Sequence, residues 1–313
     1  MATATETPTG PLVPRSPKAV ARARRRLAAS RLWATYRKNR MGLVGLSVLV
    51  VFVGIAIFAP LLVPKSSLDV TKATGPILAP PSWQYPMGTD DLGRSVLGLV
   101  VWGSRISLLV GLLAAVVSMV IGAGLGILAG YRGGGWDAFL MRITDFFLVL
   151  PFIPFAIVLA GILEATFGQS LFVILMVIGL TSWPWTARIV RSQTLSIRER
   201  PYIERARGLG ASETQLLRKH VLPNVFPVIF ANGILQVALM ILAESTLSFL
   251  GLGDPLRVSW GAVLELAFDA GAPTLGAWWW IGFPGACIVL VVLAFTMCGN
   301  ALEEIVNPRL RQR

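Results

Sequence analysis

The chain has 313 residues, of which 55% are hydrophobic and 14% charged, against about 25% charged in soluble globular domains. Six runs free of Asp, Glu, Lys and Arg (41–64, 106–131, 146–163, 165–187, 220–243 and 270–302) are of the length needed to cross about 30 Å of hydrocarbon, which excludes a soluble protein. The net charge of +12 is a matter of placement rather than of a nucleic-acid surface, because the basic residues cluster at the two ends and in one loop.

Residues 1–27 are rich in Thr, Pro, Ala and Arg with no apolar periodicity, as expected of a disordered basic tail. Residues 28–41 mix Leu32, Trp33 and Tyr36 with Arg31, Arg37, Lys38 and Arg40, which suits a short interfacial helix. The first transmembrane helix is expected over 42–63. An external loop and short helix follow over 64–103, with prolines at 64, 76, 80, 81 and 86. Here Asp90, Asp91 and Arg94 form either a local ion-paired turn or an external docking or gating contact.

Residues 104–302 form the remaining core, with five further spans. The second span carries Ala114, Ser118, Gly122, Gly126 and Gly130, a small residue every fourth position. That spacing gives one helix face over which another helix can approach closely, within the subunit or between subunits. In the third helix Arg142 and Asp145 lie three apart on one face, where an ion pair is expected. Pro151 and Pro154 should kink the same helix. The fifth span ends with Glu244, Ser245 and Ser248, candidate residues of a substrate pathway. Residues 254–277 read as an external loop, and the short tail at 303–313 as cytoplasmic. Cys287 and Cys298 share one apolar run, about 16 Å apart on a helix, too far for a disulfide.

Charge placement sets the orientation. Ten basic residues fall between positions 15 and 40, eight between 188 and 219 against three acids, and three at 309, 311 and 313. The opposite side carries only Lys65, Lys72, Arg94, Arg105 and Arg257. The positive-inside rule therefore puts both termini and the 188–223 loop in the cytoplasm.

The chemistry of catalysis is missing. No GxxxxGK[ST] loop occurs, and one histidine with two separated cysteines offers neither a dense metal cluster nor a nucleophile with its base. The chain also lacks a set of carboxylates deep in several spans, as an ion-coupled carrier would use. A carrier or channel without an ATPase partner is the alternative reading.

The polar stretch 202–223 stands between the fourth and fifth spans. Gly210 breaks a helical pattern and Ser212 opens a second, with Gln215 three positions later as in a capping box. Two short helices around a glycine turn are expected, with Leu209, Leu216 and Leu217 as an apolar contact face for a partner's groove.

This stretch resembles the cytoplasmic signature of membrane subunits of binding-protein-dependent ABC importers. Glu204-Arg205-Ala206 is followed after three residues by Gly210 and, at the matching distance, by Leu222-Pro223. Arg205 replaces the middle alanine of the signature. His220 takes an aliphatic position, as is usual in the dipeptide/oligopeptide/nickel branch. Gly88-Thr89-Asp90 with Gly93-Arg94, 103–108, 129–131, 247–253, 259–261 and 307–310 resemble the same branch, and the whole looks like its C-type member.

The resemblance implies an all-α, six-span membrane protein with the type I ABC importer permease fold, in a bacterial inner membrane. It implies a B-type permease as heterodimer partner, two ATPase subunits or one fused ATPase, an external substrate-binding protein and contact with membrane lipid. ATP and Mg would belong to the partner subunits, with no cofactor and no catalytic residue here. The ATPase-docking residues it implies are Glu204, Arg205, Ala206, Arg207, Leu209, Gly210, Ala211, Ser212, Glu213, Gln215, Leu216 and Leu217. Di- or oligopeptides are the expected solute, since no His/Cys/Met relay lines a span to carry nickel.

Overall fold

The computed structural model of the chain describes residue 30 and residues 33–306. The tail at 1–27, part of the 28–41 helix, and the 307–310 motif with the rest of the C-terminal tail lie outside the described residues. Among those described there is no strand, and the elements in order are helices. They are α1 (Arg40–Leu62), α2 (Val96–Arg132), α3 (Gly134–Val149), α4 (Phe152–Phe167) and α5 (Leu171–Arg198). After them come α6 (Pro201–Gly208), α7 (Glu213–Leu216), α8 (Leu222–Leu247), α9 (Trp260–Asp269) and α10 (Trp278–Val306).

Among the described residues, five stretches are helices long and apolar enough to cross a membrane. The third predicted span is not a kinked helix but two, α3 and α4, bent by 98°. Leu150 and Pro151 are both extended, at ψ 127° and 124°, Leu150 because a residue before proline avoids the helical region. Pro154 bends nothing. It lies in the first turn of α4, where a missing N–H removes no helical hydrogen bond.

α2 is the axis of the fold, and its most extensive contact is with α5. The small-residue stripe makes that contact. A Cβ on Gly122, Gly126 or Gly130 would stand 2.6, 2.5 and 2.8 Å from the carbonyl oxygens of Trp183, Ala187 and Arg191, closer than side-chain carbons come. The stripe thus packs within the subunit. On another face α2 meets α8, where the Ser118 hydroxyl donates to buried Gln236 at 3.2 Å. α1 leans on α10 by the same device, with Gly42 and Gly45 against Ala301 and the Ala294 carbonyl.

Three local expectations change. Asp145 pairs with Arg188 of α5 at 2.6 Å rather than with Arg142, and Asp137 pairs in the same way with Arg191. Both acids therefore strap α3 to α5. The short helix expected before the second span is the start of α2 itself, which runs unbroken from Val96. Within 254–277 the chain forms α9, capped by the Ser259 hydroxyl, which accepts from Ala262 N–H at 3.2 Å. Trp260 of α9 is fully buried and donates from Nε1 to Val100 O at 2.9 Å.

Because Gly126 faces the α5 backbone while Gly124 has open space around its α-carbon, the two should respond oppositely to alanine. Gly126→Ala is expected to lower stability by about 1–3 kcal/mol through overpacking. Gly124→Ala is expected to be neutral or to gain up to about 1 kcal/mol of helix propensity. Thermal unfolding of the purified protein in detergent checks both.

Candidate functional site

The polar stretch after α5 is built from two capped helices. Pro201 opens α6 at a position that needs no N–H. Gly210 closes it at φ +85°, a left-handed conformation that glycine adopts without strain. Around it Gly210 N–H donates to Arg207 O at 3.0 Å and Ala211 N–H to Ala206 O at 3.1 Å. These paired bonds are those of a glycine-terminated helix end. Ser212 then caps α7, its hydroxyl accepting from Gln215 N–H at 3.3 Å.

α7 does not stop where the loop was expected to stop. It continues through a wider turn, in which Leu222 N–H donates to Leu217 O five residues back, straight into α8. The run Glu213–Leu252 is 40 residues long, about 60 Å at 1.5 Å per residue. Pro223 accounts for the widening, since it has no N–H to give and its ring crowds the carbonyl four residues earlier. The Asn224 side chain donates to His220 O at 2.6 Å, supplying a hydrogen bond to a carbonyl in the disturbed turn.

Burial divides the predicted contact face. Leu209 is 89% exposed, whereas Leu216 is 0% exposed and Leu217 is half-buried against the body. Leu216 therefore cannot meet a partner in this conformation, because the loop folds back onto its own membrane helices. Ile203, Val190, Ile197, Val221 and Val225 form the cluster beneath the loop, with Ile127 and Tyr131 of α2 packed against it. The Tyr131 hydroxyl donates to the Glu213 carboxylate, which also lies 3.5 Å from Arg207 Nε. Glu204, Arg205, Gln215 and Gly210 are exposed, and Ala206 and Ala211 are partly so.

The other two candidate groups are internal. Glu244 is 1% exposed and accepts from Ser248 at 2.9 Å and Ser245 at 3.4 Å. Ser107 of α2 and Ser259 at the start of α9 reach the same carboxyl. In place of a lining for an open path, Glu244, Ser245 and Ser248 are a sealed polar joint between α2, α8 and α9. Burying a carboxyl demands such partners. Asp90 is also fully buried. It accepts from Leu92 N–H at 3.0 Å, Arg94 N–H at 2.7 Å and Arg94 Nε at 2.6 Å. That is the ion-paired turn, and it sets the start of α2. Thr89 adds to it, donating to Pro76 O at 2.5 Å while its carbonyl accepts from Trp279 Nε1 at 3.1 Å. Asp91 is partly exposed, and burial, then the neighbouring Asp90 charge, raises its carboxyl pKa.

Fold and site together define a polytopic α-helical membrane subunit, with a helical loop held firmly beneath its membrane body. Residues 122–312 match the family described as binding-protein-dependent transport system inner membrane component, and residues 28–82 match the N-terminal TM domain of oligopeptide transport permease C. The chain belongs to this family of binding-protein-dependent transport permeases. The dipeptide transport system permease protein DppC of Bacillus subtilis (strain 168) is 36% identical over 283 residues, spanning 90% of this chain and 85% of that protein. The oligopeptide transport system permease protein OppC of the same organism is 35% identical over 281 residues, covering 88% of each. In solved inward-facing structures of the MetNI methionine ABC transporter, one chain shares the fold over 67% of this chain and 96% of its own. The TM-score is 0.57 at 19% identity.

Truncating the two leucines of the loop should have opposite consequences for folding. Leu216→Ala removes a fully buried side chain and is expected to cost about 2–5 kcal/mol, loosening the loop toward proteolysis. Leu209→Ala, at an exposed position, is expected to stay within about 0.5 kcal/mol of the parent. Limited proteolysis and thermal unfolding of each variant report the difference.

Proposed function

We propose that the chain is one of two permease subunits of an ATP-driven importer, most simply for di- or oligopeptides, and that the loop at 202–223 couples it to the ATPase. The observation that carries this reading is the exposure of Leu209, 89%, the most exposed apolar side chain of a loop whose Ile203, Leu216 and Val221 are fully buried. An isolated large apolar residue held rigidly in a polar setting suits a partner's groove. Glu204, Arg205, Arg207, Ser212, Glu213 and Gln215 surround it as polar contacts. Arg205 points outward, so its departure from the signature bears on the partner's surface and not on this fold.

In this reading a B-type permease completes the pathway, and ATP with Mg is bound and hydrolysed by two ATPase subunits or one fused ATPase. A separate external protein delivers solute. Both termini and the loop face the cytoplasm of a bacterial inner membrane, as the basic clusters favour. Peptide as the solute rests on the names of the relatives and on the absence of a His/Cys/Met relay in the sequence. Movement passes along a short path, since α7 and α8 form one run from the loop to the far side of the membrane.

Leu209→Asp is expected to leave membrane insertion and permease pairing intact while weakening ATPase co-purification and peptide-stimulated ATP hydrolysis. A fall of about tenfold or more is the scale of an interface hot spot. Unchanged coupling with this variant would refute the role given to the loop.

A further inference from the structure

The five basic residues on the sparsely charged side of the chain are far apart in sequence yet meet in one place. Lys65, Lys72, Arg94, Arg105 and Arg257 all line a single cavity of ≈ 1270 Å³ between α1, α2 and the segment after α8. Three of them have an acidic neighbour: Lys72 with Asp69 at 3.9 Å, Arg94 with Asp90 at 2.6 Å, and Arg257 with Asp254 at 3.6 Å. Lys65 and Arg105 have none among the described residues, so the rim keeps a positive surplus. Arg105 stacks over Trp102, 5.3 Å from the ring centre.

A second observation points into the same cavity. The Arg94 side chain is 9% exposed, its Nε is committed to Asp90, and its Nη2 is buried without a hydrogen-bond partner. A buried guanidinium nitrogen left unpaired is costly. Arg94 lines the cavity, and a small turn of its guanidinium toward the cavity would let an anionic oxygen satisfy that nitrogen.

The lower wall of the cavity has the opposite character. Ile57 of α1 with Leu109 and Leu112 of α2 line it. Trp102, whose Nε1 donates to Val63 O at 3.1 Å where α1 ends, marks the membrane interface. The aliphatic wall begins roughly 10 Å deeper, by residue count along either helix. Cations at the interface above an apolar wall within the hydrocarbon match a molecule with an anionic head and an acyl chain. A soluble anion would use only the rim.

We propose that this groove is a binding site for one anionic phospholipid, its phosphodiester held by Lys65, Arg94 and Arg105 and an acyl chain laid along α1 and α2. The site would tie α1, which buries few of its own residues, to the rest of the subunit. The inference needs only the membrane embedding of the chain and stands apart from the coupling role of the 202–223 loop.

The test uses the assembled transporter, reconstituted in an equimolar mixture of phosphatidylglycerol and phosphatidylcholine, purified in detergent, and assayed for retained lipid by native mass spectrometry. Phosphatidylglycerol is expected to be retained in preference to phosphatidylcholine. Each of Lys65→Gln and Arg105→Gln should lower its retention about fivefold, the worth of one basic residue near an anionic lipid surface. The charge-preserving Lys65→Arg and Arg105→Lys should retain it, which separates loss of charge from loss of fold. Equal retention by the Gln variants would overturn the proposal. So would displacement by inorganic phosphate as effective as by added phosphatidylglycerol, which would mean a site for a soluble anion. Capture of a protein chain, rather than lipid, by a photo-reactive group at position 109 would give the groove to the partner permease and overturn it equally.

Discussion

The close approach of α2 to α5 is the contact on which the remaining geometry depends. Lipid tails are as apolar as leucine, so membrane helices gain little by hiding hydrophobic surface from one another and associate through packing and hydrogen bonds. Gly122, Gly126 and Gly130 place the α2 backbone directly over three α5 carbonyls, which a side chain at any of the three would prevent. The ends of α2 and α5 then converge on the cluster of Val190, Ile197 and Ile203 under the polar loop. Asp137 and Asp145 extend the same block by strapping α3 to α5 through Arg191 and Arg188.

The loop inherits its position from this block. Its first helix ends at a glycine that must adopt φ +85°, and its second is fused to α8 through the turn widened at Pro223. The Tyr131–Glu213 hydrogen bond ties the beginning of that second helix to the end of α2. In the proposed coupling, a push on the exposed surface around Leu209 would bear on two membrane helices at once, one through a hydrogen bond and one through continuous backbone. At the other end of α8, the ring of serines around Glu244 joins it to α2 and α9. The same pair of long helices is thus clamped both near the loop and far from it.

Much of this was legible in the sequence, and the parts that were not share a cause. Charge-free runs located the membrane helices because hydrocarbon thickness fixes their length. Gly210, Ser212 and Gln215 foretold the two short helices because caps act locally. The glycine stripe announced a close contact, but only the fold shows that α5 is its partner. Side-chain partners chosen by proximity in sequence fared worse: Asp145 reaches across to Arg188, not along its own helix to Arg142. Leu216 looked available because period alone cannot say which face of a four-residue helix meets its own body. Glu244, Ser245 and Ser248 looked like a polar path because the joint they form with Ser259 is closed by Ser107, over a hundred positions away in the chain. α9 did carry a signal, in the Ser259 cap followed by Trp260, Val263 and Ala267 at helical spacing. That signal was masked by the glycines and prolines around it.

The central claim is that the loop presents Leu209 to an ATPase while Leu216 faces inward, and site-specific photo-cross-linking in the assembled transporter tests it most directly. A photo-reactive residue at 209 should yield a covalent adduct with the ATPase subunit, and one at 216 should yield only cross-links within this chain. ATPase adducts from 216, or none from 209, would contradict the orientation of the loop and with it the proposed path of coupling.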